Sequence, residues 1–125
     1  ACLIVGSVVM VLALCFQGCE VAHSAEVIEP ERLADAIYLA EGGEKAVVPY
    51  GILSVKVSSE AEARRVCLNT INNNLARWQW ARQNSDKRDY IKFLADRYCP
   101  IGASNDNGTN RYWERNVRQI YSTMR

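Results

Sequence analysis

The chain has 125 residues, 49% of them hydrophobic, with 15 Lys and Arg against 14 Asp and Glu. That length suits a single domain, and the mixture of apolar and charged residues excludes whole-chain disorder and fibrous low-complexity repeats. A formal net charge of +1 exerts no overall pull on nucleic acid, so no nucleic-acid partner is implied.

Leu3 to Cys15 carries no charge and almost only apolar side chains. The run is shorter than the roughly 18–20 residues that span a bilayer as a helix. The more polar segment behind it ends in Ala22-His23-Ser24-Ala25, whose small residues suit a cleavage point. Residues 1–25 therefore read as a signal peptide, and residues 26–125 as an exported domain of the periplasm or cell envelope. A membrane anchor is the other use of this segment. Gly18-Cys19 also resembles the end of a lipoprotein cleavage box, and either alternative would hold the domain at a membrane.

The domain itself reads as mostly helical. Pro30 in Glu29-Pro30-Glu31 suits the first position of a helix, and the acids suit the positive end of its dipole. Leu33, Ile37 and Glu41 recur at helical spacing before Gly42-Gly43 ends the helix. Pro49-Tyr50-Gly51 predicts a turn, and Ile52, Val55 and Val57 a short β-rich run with room for one hairpin. Ser59-Glu60-Ala61-Glu62 has the pattern of a capping box. Behind it, Val66, Cys67, Ile71, Leu75 and Trp78 form a helical stripe reaching about Gln83. Tyr90, Ile91, Leu94 and Tyr98 mark a third helix stopped by Pro100. A Gly, Asn and Ser-rich loop precedes a last helix with Trp113, Val117, Ile120 and Tyr121. The fold class expected is mainly α, a small helical domain with one short β-hairpin.

Charge is divided along this domain. Glu26 to Glu62 holds eight acids and three bases, whereas Ala63 to Arg125 holds twelve bases and five acids. A basic rear half suits an anionic polymer, and equally suits helix faces turned to solvent. Cys67 and Cys99 are the cysteines of the domain, and export predicts a disulfide between them. A bridge closing about thirty residues contributes on the order of 3–4 kcal/mol in the chain-entropy description. The single His of the chain, His23, precedes the domain, and neither cysteine belongs to a CxxC pair. The domain thus offers no zinc ligand set, no Cys-His pair and no Ser-His-Asp triad, and no metal or cofactor is implied.

Glu41 is the most informative residue. Its place on the inward stripe of the first helix partly buries a carboxylate, and the helix C-terminus sets negative potential beside it. Both effects favour the neutral acid, the form that protonates a glycosidic oxygen. Gly42-Gly43 would keep side chains away from the acid and let a bulky substrate approach. A helix-terminal Glu turned to solvent is the plain alternative.

The order Ala36-Ile37-Tyr38-Leu39-Ala40-Glu41-Gly42-Gly43, then Pro49-Tyr50-Gly51-Ile52-Leu53, then a long helix, resembles the lysozyme-like superfamily. The stretch Phe93 to Pro100, with Asn105-Asp106 and Tyr112-Trp113, is similar to the ending of its cell-wall-cleaving members. Lytic transglycosylases and phage- and goose-type lysozymes are the members most alike. The resemblance covers most of Ile28 to Tyr121 and implies that Glu41 is the catalytic acid. It implies cleavage of a peptidoglycan glycan strand by one Glu, with the substrate's own acetamido group in place of a second carboxylate. Transglycosylases of this group carry Glu-Ser where this chain has Glu41-Gly42.

Other candidates fill out the site. Glu44 reads as a solvated loop acid, and Asp106 either faces the cleft or caps a turn. Tyr50, Tyr98, Tyr112 and Trp113 have flat rings suited to hexose faces or to the core. Tyr50 stands nearest in sequence to the end of the Glu41 helix. Gly51 and Asn105 complete the expected substrate contacts. Asn72-Asn73-Asn74 reads as a polar surface run with one or two members turned inward, and Trp80 falls off the core stripe. Two functions follow: an exported peptidoglycan-cleaving glycosidase, or a non-catalytic envelope module that binds glycan or protein. The sequence sets no oligomeric state.

Overall fold

The computed structural model describes residues 27–53 and 55–124. The expected signal segment, with Cys2, Cys15, Cys19 and His23, lies outside the described residues. Helix α1 runs from Pro30–Ala40 with Pro at its start, and its buried stripe is Leu33, Ala34, Ala36 and Ile37. The Glu29 N–H donates to the Tyr121 hydroxyl at 3.0 Å, which pins the start of α1 to the end of the chain. Gly42 and Gly43, at φ +108° and +58°, end the helix in a conformation that costs other residues roughly 1–2 kcal/mol.

Helix α2, Glu60–Gln83, starts where the capping pattern predicts. Ser59 accepts the Glu62 N–H at 3.1 Å, but Glu62 reaches back one residue further than expected, to the N–H and hydroxyl of Ser58. Ala63, Cys67, Ile71 and Asn74 are its buried positions. Asn74 is the inward member of the asparagine run and donates to the Thr70 carbonyl at 2.8 Å, while Asn72 and Asn73 are exposed. Helix α3, Tyr90–Tyr98, is capped by Asp89, whose carboxylate also pairs with Arg118. Helix α4, Asn110–Thr123, buries Trp113, Val117 and Tyr121.

Helix α1 packs on α2 and α4, and α3 packs on the same two, so the four helices close a ring around one core. Full burial of a Leu or Ile side chain contributes roughly 1.5–3 kcal/mol, and Leu33, Ile37, Ile71 and Leu94 are all fully buried at its centre. Tyr90 crosses the core to donate its hydroxyl to the Ile71 carbonyl at 2.7 Å. Trp78 ties the end of α2 to the next loop by donating to the Arg88 carbonyl at 2.8 Å. No helix among the described residues is long and apolar enough to cross a membrane.

The expected hairpin does not form: among the described residues there is no strand. Pro49–Gly51 makes a single 3-10 turn, with Tyr50 and Gly51 at φ +59° and +65°. That turn curls the chain over the end of α1, so the β-rich residues beyond it have no second extended segment to pair with. Ile52 turns inward and Leu53 and Val55 outward, each placed by the local surface rather than by a ladder.

Candidate active site

Glu41 caps the C-terminus of α1, its N–H still bonded to the Ile37 carbonyl at 3.0 Å. The side chain is half-buried beneath the Pro49–Gly51 turn. Trp113 of α4 donates its indole N–H to Glu41 Oε1 at 2.7 Å. Gly51 lies directly against the carboxyl: a Cβ at this position would stand 2.6 Å from Glu41 Cδ and 2.7 Å from each oxygen. The glycine that makes room for the acid is therefore Gly51, whereas a Cβ on Gly43 would face Tyr38 and Leu39.

Neighbouring aromatic rings fix this arrangement. Tyr50 is only 3% exposed, with its ring tilted against Tyr38 at 5.1 Å between centroids. Its hydroxyl lies 3.4 Å from Arg64 Nη1, and its carbonyl accepts the hydroxyl of Tyr98. The Tyr98 ring stacks on Trp113 at 5.1 Å and 23°. One continuous set of contacts thus runs from the turn through Tyr98 to the indole that holds Glu41.

Burial raises the Glu41 carboxyl above the ordinary glutamate range, and the Trp113 hydrogen bond opposes this only in part. Among the described residues no Lys or Arg forms an ion pair with it. The C-terminal end of the α1 dipole acts in the same direction as burial.

Glu41 lies where two troughs of about 450 and 510 Å³ meet, and both are also lined by Cys99, Thr109 and Asn110. These volumes fall in the range of small-ligand sites. One arm runs under Tyr112, Trp113, Arg115 and Asn116 of α4. The other is lined by Gly51, Ile52, Leu53, Thr70, Arg97, Asn105 and Asn107. Among the described residues, Glu41 is the one carboxylic acid that lines either arm. No cluster of described residues has the ligand set for a metal ion.

The structure brings Glu41, Gly51, Tyr98, Asn105 and Tyr112 to this groove. Tyr112 is 45% exposed, with the Arg111 and Arg115 guanidiniums over its ring at 5.9 and 5.3 Å from the centroid. Tyr50 is a buried pillar rather than a sugar platform, because its left-handed backbone turns the ring into the core. Of the two roles open to Asp106, the structure shows the turn cap and not the substrate contact. Its carboxylate accepts the N–H groups of Gly102 and Gly108 at 2.8 Å and of Asn110 at 3.2 Å, and so organises the loop before α4. Foremost the Gly102 N–H holds its carboxyl below the usual range.

The expected disulfide is likewise absent, for Cys67 and Cys99 are both free thiols. Cys67 is sealed in the core with its sulfur 3.9 Å from the Tyr98 hydroxyl, whereas Cys99 opens into the groove. Burial pushes both thiols up to about 11, which keeps them protonated and poor nucleophiles near neutral pH.

Sequence reasoning offered Trp113 as a sugar platform and missed it as the hydrogen-bond partner of Glu41, and it passed over Thr70, Arg97, Asn110, Arg115 and Asn116. The pairing of Trp113 with Glu41 joins residues 72 positions apart, and no local spacing carries such a signal. Comparison of the chain with family models, with curated proteins and with solved structures finds no match.

Proposed function

We propose that this chain is an exported glycosidase that cleaves the glycan strand of peptidoglycan, with Glu41 as its single general acid and base. The observation that carries the reading is a half-buried carboxyl, paired with no Lys or Arg among the described residues, at the junction of two open troughs. An acid whose hold on its proton is strengthened by burial donates that proton to the glycosidic oxygen as the bond to the anomeric carbon breaks, and the resulting carboxylate then takes a proton from the attacking hydroxyl. A retaining or inverting pair of carboxylates needs a second acid across the groove. Asp106 is engaged by its own loop, so the N-acetyl group of the substrate is the internal partner that this reading assigns. The nucleophile is then water in a muramidase, or a hydroxyl of the same sugar in a lytic transglycosylase. The resemblance of the α1 ending and the Tyr50-Gly51-Ile52-Leu53 run to the lysozyme-like superfamily supports the same class.

The test is a zymogram on purified cell wall with the wild-type protein and Glu41→Gln. Clearing by the wild type alone supports the reading. Clearing by both, or by neither, overturns it, and the second result favours a non-catalytic envelope module that binds glycan or protein. Mass spectrometry of the released sugars separates the two nucleophiles, because an anhydro product is lighter by one water.

A further inference from the structure

Arg97 stands between two cavities. This side chain lines the Asn105 arm of the groove and also a third concavity of about 510 Å³ beyond it. Ala76 and Ala81 of α2 and Phe93 of α3 supply small and apolar lining there, with Trp80 and Arg77 beside them. Trp80 is 67% exposed, unlike Trp78, whose N–H is bonded within the protein. A large indole left in water beside a concavity is a surface with unused binding capacity.

The charges there point to an anion. Arg88 is held by Asp86 and Asp96, and those bonds hold the Asp86 carboxyl down at about 2, so that acid is fully paired. Arg77 and Arg97 form no ion pair among the described residues. The cavity thus combines one exposed indole, small apolar positions and two uncommitted guanidiniums. A planar guanidinium takes a carboxylate through two parallel hydrogen bonds.

We infer that this cavity is a second binding site, next to the Glu41 groove across Arg97, for the carboxylate-bearing peptide arms of the glycan polymer. The inference rests on the groove's being a glycan site. The small apolar positions suit methyl side chains, the indole covers the peptide, and Arg77 and Arg97 take its carboxylates. Such a site discriminates a peptide-substituted strand from a bare one, and it anchors the polymer at a distance from the reacting bond.

Calorimetric titration of the full chain carrying Glu41→Gln tests this without turnover. The probes are a disaccharide tetrapeptide from cell wall and the peptide-free N-acetylglucosamine tetrasaccharide. Adding Trp80→Ala or Arg77→Ala is expected to weaken binding of the first about tenfold and to leave the second unchanged. Both side chains are exposed, and an unchanged melting temperature checks that each variant folds. Equal weakening of both probes overturns the inference, as does no weakening, or no binding of the tetrapeptide probe at all. Trp80-dependent capture of phosphatidylglycerol vesicles without Trp80-dependent binding of the peptide probe overturns it in favour of an anionic lipid surface. Failure of the catalytic reading is distinguishable, because it shows on the zymogram and leaves the peptide dependence of this titration readable.

Discussion

Helix α1 carries two kinds of carboxylate, and they behave in opposite ways. Glu31 and Asp35, on its first turns, face solvent and share Arg64 of α2, at 2.6 and 2.5 Å. Glu41, at its last turn, is half-buried and meets an indole N–H instead of a cation. Solvent around the guanidinium and both acids screens these pairs, and such exposed pairs contribute at most about 1 kcal/mol. Burial with a single neutral donor raises the Glu41 carboxyl above the ordinary glutamate range. The difference lies in what packs above each residue, since all three are ordinary acids on one helix.

The sharpest way to break this contrast is Glu41→Gln. The amide keeps the Trp113 hydrogen bond and cannot release a proton, so wall-cleaving activity is expected to fall about 10³-fold by turbidity assay. The same variant tests the pH sign. Burial raises the folded-state value of Glu41, so the stability it contributes is present below the ordinary glutamate range and is lost as pH rises through the raised value. Glu41→Gln should therefore leave the melting temperature unchanged in acid and raise it at neutral pH. An equal shift at both would contradict the buried-acid description.

Gly51→Ala comes next. The added methyl would stand 2.6 Å from the Glu41 carboxyl carbon, at a residue whose φ is +65°. The carboxyl has to move, and a displacement of that order is expected to lower activity about 100-fold. The left-handed backbone costs about 1–2 kcal/mol in addition, measurable by denaturant titration. Trp113→Phe keeps the stack on Tyr98 and removes the N–H, for a roughly tenfold loss of activity. Without that donor the Glu41 carboxyl rises further, so the alkaline limb of the pH–activity profile should move to higher pH. Arg64→Ala has the smallest effect: it frees Glu31 and Asp35 into solvent and takes one partner from the Tyr50 hydroxyl, with a stability loss of about 1 kcal/mol whose ion-pair part shrinks in high salt, and with a loss of activity smaller than that of Trp113→Phe.

Much of the scaffold was legible locally. Pro30, Gly42, Ser59, Pro100 and the spacing of Leu33, Ile37, Ile71, Leu94 and Val117 locate all four helices, because caps, breakers and 3.6-residue stripes are short-range signals. The hairpin was misread because the β-branched residues after Gly51 have strand character but lack a neighbour. The disulfide was misread because export alone says nothing of which way two cysteines face. Tyr50 was misread because its positive φ sends the ring inward, whereas for Asp106 the cap was one of two readings, and the three N–H donors of its loop decide for it.

The sequence by itself determined that a helix ends on an apolar stripe with an acid as its last member, since that follows from spacing and from the glycines behind it. What this acid becomes was decided by the tertiary structure. Trp113 and Gly51 reach Glu41 from 72 and 10 positions away, and Tyr98 clasps the turn that holds Gly51 in place. A carboxyl's preference for its proton depends on how much water and which donors surround it. In this protein those surroundings come from residues distant in the chain and exist only once the helices have packed.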